Sequence, residues 1–400
     1  MLTDLDGKVW PTPPDEEGRF KKDPRRLREI TARYEKDAFV SEGHLQTRLL
    51  GNITYAKPIP PGECGITSLA AAPDGRIFGA TAGLKSHLFC YDPSPDADTV
   101  IDIGVIADNT AVCRSLAAHP DGRIFGGTAG DGRNGEGFIF CYTPVSDNII
   151  TTVADPLHVI GQIKRLAAPV KNEGMATLLM DKRGRNLYGL SNRSGVLFAY
   201  DIVADKVEIK GQIDELGEYS PCLASDNEGN IYGACQRGFL FEYNPESGKI
   251  EKLNIRIPCL KGSEVYNKVD SFAVDRRSGV IYGGNTDGVI FAFNPAAREI
   301  IALGKPLAST RIRALTAGHD GKIYGLGGEP GGCAHLFCYN SRKHELKDLG
   351  ALLAGVERRW YGYEFDAAVT GKNGEIYLGE NDRISHLFIY YPPVENAFAT

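Results

Sequence analysis

No run in this 400-residue chain approaches the roughly 18–20 consecutive apolar residues needed to cross a bilayer as a helix, and no membrane partner is expected. The first twenty residues, MLTDLDGKVWPTPPDEEGRF, lack the apolar centre of a secretory leader, so a cytoplasmic setting is the expectation. Positive charge is not in excess. Forty-five Lys and Arg against 51 Asp and Glu leave a net charge of −6, which argues against nucleic acid, since phosphate binding needs a basic surface. The nine cysteines are an odd number without the spacing of a disulfide framework. Three of them (Cys90, Cys141, Cys338) recur at one position inside apolar strands, where they read as small buried side chains. GxSxG, P-loop, HExxH, paired CxxC and EF-hand patterns are all missing, and neither a cofactor nor a metal is expected.

Glycine and tyrosine, by contrast, are plentiful: 47 and 18 residues against three methionines, a composition suited to strands and tight turns. The glycines mark a repeat. The segment DGRIFGATAGLKSHLFCYDP, from Asp74 to Pro93, returns six more times as variants of a turn, an aromatic-Gly strand and an apolar strand ending in an aromatic. The marker glycines are Gly75, Gly122, Gly184, Gly229, Gly279, Gly321 and Gly374. Their spacing of 42 to 62 residues suits four strands and variable loops per repeat. The fold class predicted is all-β, a seven-bladed β-propeller of four-stranded blades.

The seventh copy ends at HLFIYYPPVENAFAT with no fourth strand, and a spare strand lies at the other end, Arg48-Leu49-Leu50-Gly51-Asn52-Ile53. The ring is therefore expected to close by pairing the N-terminal strand onto the last blade, which removes an open sheet edge. The propeller is assigned to 44–400 and an N-terminal extension to 1–43. In the extension, Asp23-Pro24 followed by Leu27, Ile30 and Tyr34 predicts a short helix.

Turns between the first and second strands are short and uniform, whereas the second-to-third and fourth-to-first loops vary in length and chemistry. Function is expected on that variable face, around the axis. The loops entering the innermost strands bring Arg114, Tyr219, Tyr266, Lys268, Arg313, Trp360, Tyr361 and Tyr363 there. Arginine forks bind carboxylates in pairs of hydrogen bonds, and aromatic faces stack on sugar rings. The set points to an anionic sugar. Three histidines (His87, His335, His386) occupy one repeated position at the start of the third strand, in blades that become neighbours when the ring closes. Equivalent positions in adjacent blades lie on the order of 10–15 Å apart, too far for one ion. Inter-blade hydrogen bonding, or a role at the rim of the pocket, is expected instead, with His87 the preferred catalytic candidate.

With this ring and its Arg/Tyr/His face, the chain resembles the seven-bladed propeller carbohydrate-active enzymes, the ulvan-type and rhamnose–glucuronate polysaccharide lyases and related rhamnosidases. The resemblance spans 44–400 and rests on fold and residue types. It implies β-elimination at a uronic acid residue of an oligosaccharide or polysaccharide. A histidine and a tyrosine would handle the protons (His87 with Tyr266 or Tyr363), and an arginine would hold the uronate (Arg114 or Arg313). Tyr219, Lys268, Trp360, Tyr361, His335 and His386 would line the substrate. A glycoside hydrolase using the same pocket, or a non-catalytic scaffold or sugar-binding propeller, are the alternatives.

Overall fold

The computed structural model describes residues 2–3, 9–10, 40–50, 59–94, 99–108, 112–130, 135–144, 161–214, 218–308, 310–328, 333–354 and 360–393. The helix expected over 23–34 lies outside them. Seven antiparallel sheets of four strands form the ring. Blade 1 runs through Gly65–Ala71, Ile77–Ala82, Lys85–Asp92 and Thr99–Asp108 in that spatial order. Blades 2 to 6 repeat the arrangement, with innermost strands Val112–Ala118, Met175–Met180, Ala224–Ser225, Val269–Asp275 and Ile312–Ala317. Blade 7 takes Phe365–Thr370, Ile376–Glu380 and His386–Tyr391 from the C-terminal end and His44–Leu49 from the N-terminal end.

Closure thus follows the expected logic, with Arg48 and Leu49 pairing as expected and the ladder extending back to His44. The ladder pairs His44 with Tyr391 through Leu49 with His386, so it begins before the Leu-Gly motif. Outer strands of blades 1, 3, 5 and 6 carry a bulge at their glycine (Gly104, Gly211, Gly304, Gly350), which adopts positive φ. The closing strand has no such bulge over these six pairs. Its straight ladder uses the residues ahead of Gly51, and 51–53 lie outside the described residues.

Why the repeat makes blades is visible at one glycine per sheet. In six blades the second-strand glycine faces a third-strand phenylalanine directly across the ladder, for example Gly79 with Phe89 and Gly233 with Phe241. The ring lies over the bare Cα, where a Cβ on Gly233 would come within 2.6 Å of Phe241. Blade 7 substitutes Leu378, opposite Phe388, and that ring turns edge-on to Phe365 instead.

Seven buried apolar clusters among the described residues each join two adjacent blades. The one containing Ile66, Tyr91, Tyr377 and Leu387 joins blade 7 to blade 1. Within them, six second-strand aromatics meet the third-strand ring of the next blade at 5.4–5.9 Å, Tyr377–Tyr91 across the closure included. Tilted and edge contacts of this kind add about 0.5–1.5 kcal/mol each beyond burial. The core is therefore between the sheets, and the innermost strands are fixed by neighbours on both sides.

Candidate functional site

The innermost strands do not begin regularly. In six blades a β-bulge breaks the register at their start, so that the ladder skips residues. The positions skipped by the ladder register are Thr67, the 113–115 stretch, Ala176, Asp270, Arg313 and Asp366. A bulge re-aims its side chain and is a device often found beside active sites. In three consecutive blades, 5, 6 and 7, the re-aimed residue is charged.

These three charges anchor a network. Arg311, on the loop into blade 6, forms a two-pronged bond to Asp270: Nε to Oδ2 at 3.0 Å and Nη2 to Oδ1 at 2.6 Å. Asp270 is 4% exposed. The hydrogen bonds that Arg311 donates to Asp270, acting against burial, hold its guanidinium above its ordinary pKa. Arg311 also has φ +62°, a left-handed conformation uncommon for a side-chain-bearing residue, and its N–H donates to Thr286 O at 3.1 Å. Strain of this kind concentrates at functional sites. Arg313 donates through one nitrogen to Asp366 at 3.1 Å and has Glu364 at 3.9 Å. Asp366, 6% exposed, accepts a second bond from Asn381 Nδ2 at 2.6 Å. Thr310, Arg311, Arg313, Gly327, Gly328 and Glu364 line a cleft of about 30 Å³, room for about one water.

The predicted residues fall into three groups. Arg313 and Tyr363 belong to the network's neighbourhood. Tyr363 precedes Glu364 and packs half-buried on Cys333, Ala351 and Leu353. Trp360 and Tyr361 pair with Leu353–Ala354 in a short two-stranded sheet beside it. Their side chains, and that of Arg114 in the blade 2 bulge, lie outside the described residues. A second group sits on blades 4 and 5: Tyr266 is 80% exposed, and the Lys268 backbone is tied to Thr286. Tyr219 is part of the fold. It bridges to Cys235, lies against Gly195, and burial with help from Glu173 pushes its phenol up to about 12.

The histidines form the third group, and each has a carboxylate partner on a strand of its own blade. His335 Nδ1 meets Asp348 at 3.0 Å and His386 Nδ1 meets Glu380 at 2.8 Å. His87 is clamped on both sides, by Asp102 at 3.1 Å from Nδ1 and by Glu63 at 2.9 Å from Nε2. Burial disfavours its charge, but the two carboxylates outweigh burial and raise its pKa above the ordinary value. A carboxylate facing each nitrogen favours the doubly protonated ring, and in that form it donates at both nitrogens and has no lone pair to accept a proton.

Sequence reasoning missed Asp270, Asp366, Asn381, Glu63 and Asp102. A signal for two of them was present. VDSFAV, IRALTA and FDAAVT put a charge at one position of three successive apolar strands, a break in alternation that marks a bulge. No group of His, Cys, Asp and Glu side chains among the described residues is arranged to hold a metal ion. Nor is any helix among them long and apolar enough to cross a membrane.

No family model and no curated protein matches the chain. Solved structures share its ring. A streptogramin B lyase superposes with a TM-score of 0.63 at 12% identity, over 86% of this chain and 98% of that one. Virginiamycin B lyase from Staphylococcus aureus gives 0.64 at 12% identity, over 88% and 100%. The extracellular domain of the hybrid two-component system BT4673 from B. thetaiotaomicron gives 0.58 at 14% identity, over 88% of this chain and 40% of that one. At such identities the likeness is one of fold. These three are not the polysaccharide lyases or rhamnosidases that the residue types suggested.

Proposed function

We propose that this chain is a lyase that cleaves an acidic carbohydrate by β-elimination at a uronic acid residue, bound with its carboxylate at the mouth of the charged cleft at blades 5 to 7. The observation that carries the reading is Arg313. It is re-aimed by a bulge, bound to Asp366 through a single nitrogen, and lies on the wall of a cleft that also holds Glu364. Arg311, by contrast, spends its fork on Asp270 and serves to hold the loop.

Elimination requires neutralisation of the carboxylate, removal of the α-proton and protonation of the leaving oxygen. Arg313 neutralises the carboxylate with its remaining N–H donors. Tyr363 and Glu364 are the proton-handling candidates, since His87 is already committed to two carboxylates. Two of the propellers that share this ring are lyases by name, which supports the reaction class and leaves the substrate to experiment.

The test is incubation with uronate oligosaccharides, followed by ultraviolet absorbance and reducing-end assays. New absorbance from a conjugated C=C bond is expected, falling at least a hundredfold in Arg313→Ala. Reducing ends without absorbance would make the chain a hydrolase. Binding without turnover of any uronate would make it a sugar-binding module and end the lyase reading.

A further inference from the structure

The loop joining blades 4 and 5 exposes apolar side chains that nothing in its own fold requires to be exposed. Leu260 is 50% exposed, Val265 55% and Tyr266 80%, all within seven residues. Contiguous apolar surface held in water marks a contact site. The loop is rigidly built. Pro258 O accepts the side-chain amides of Asn267 (3.0 Å) and Asn285 (2.7 Å). Asp287 accepts the Leu260 N–H at 2.8 Å and the Ser263 hydroxyl. A single helical turn closes through the Tyr266 and Asn267 N–H groups donating to Ser263 O.

Around this apolar ridge the charge is positive. Lys261 and Lys268 are exposed on the loop itself. Lys305 reaches in from the next loop to donate to Asp287 O at 2.9 Å. Arg237 is exposed in the adjoining turn of blade 4, and its carbonyl accepts the Arg256 guanidinium at 2.8 Å. The loop's two nearby carboxylates are occupied: Asp287 as above, and Glu264 by the Gly262 N–H at 3.1 Å. The ridge also runs directly into the charged cleft. Thr286 N–H donates to Lys268 O, and Thr286 O in turn accepts the Arg311 N–H.

We infer that this loop is a binding lip for an extended acidic polysaccharide, carrying the chain across blades 4 and 5 toward Arg311 and Arg313. The inference rests on the proposed function for the destination of the chain and deepens it, making the substrate a polymer that occupies several subsites. Tyr266 stacks on a sugar face, Leu260 and Val265 cover its C–H edge, and the lysines meet the carboxylates.

The test is affinity electrophoresis of the full chain in gels containing polygalacturonate or alginate, with neutral dextran and single-stranded DNA as comparison probes. Retardation is expected in at least one acidic polysaccharide and not in dextran, and it should weaken with salt. Tyr266→Ala and the pair Lys261→Gln/Lys268→Gln should each weaken retention at least fivefold. Tyr266→Phe, which keeps the ring, should stay within twofold of the parent. No retention by either acidic polysaccharide, or variants that bind as the parent does, overturns the lip. So does DNA retained as tightly with the same losses, which would mark a nucleic-acid surface. Retention without new ultraviolet absorbance keeps the lip and removes the lyase reading. New absorbance with unaffected lip variants does the reverse.

Discussion

Replacing His87 by phenylalanine removes the cation from between Glu63 and Asp102 while keeping an aromatic volume in the site. The histidine is 5% exposed, and its three carboxylate contacts are 2.9–3.1 Å long. Breaking a buried ion pair from one side costs about 3–5 kcal/mol, because the remaining charge is left uncompensated. Here two carboxylates are stranded, so the upper part of that range is expected near pH 6. With an unfolding entropy of about 2.1 cal/mol/K per residue over roughly 350 residues, this lowers Tm by about 5–7 °C. The pH dependence has a definite sign. The folded pKa of His87 lies above its ordinary value of 6.5. Its contribution is therefore full below pH 6.5 and is lost as pH rises through the raised folded value. The gap between parent and variant should be widest near pH 6 and narrow by pH 9, measured by thermal and urea melts at both. A second readout is local. Glu63 lies between the closing strand and blade 1, so amide exchange at Leu45–Leu49 should accelerate in the variant. A variant within 1 °C of the parent at pH 6, or a gap that widens with pH, refutes the account of His87 as a buried imidazolium.

Two further perturbations test the architecture. Gly233→Ala inserts a Cβ within 2.6 Å of the Phe241 ring and should cost about 1–3 kcal/mol by overpacking, read as a lowered urea midpoint with unchanged slope. An unaltered midpoint would mean that the ring does not lie over the glycine. A chain lacking residues 1–50 exposes the edge of His386–Tyr391 and should self-associate on size-exclusion chromatography with light scattering. A monomer that melts like the parent would show that the closing strand contributes nothing to the ring.

Much of the ring was legible because blades are local objects. Each repeat's turn, aromatic-Gly strand and apolar strand are contiguous in sequence, and the ladder between them is set by period-two side-chain alternation. Even the closure was readable, as one missing strand and one spare. Its register was not. The Leu-Gly motif drew attention to 48–53, whereas the pairing that forms runs from His44 to Leu49, without the glycine bulge of the other outer strands. The histidines were recognised as a set, but their partners were not, since Asp102, Asp348 and Glu380 are found only by following strands across a sheet.

Composition and repeat spacing by themselves determined the class of fold, the blade number and the origin of the last strand. Only the tertiary structure decided which charges meet. Asp270 reaches Arg311 from 41 residues away and Asp366 reaches Arg313 from 53. Such partners come from different blades, and a bulge at the start of each innermost strand sets which way they turn. Hydrophobic periodicity encodes the ladder inside a blade. Ion pairs between blades depend on how far the ring rotates from one blade to the next, and no local pattern in the chain carries that angle.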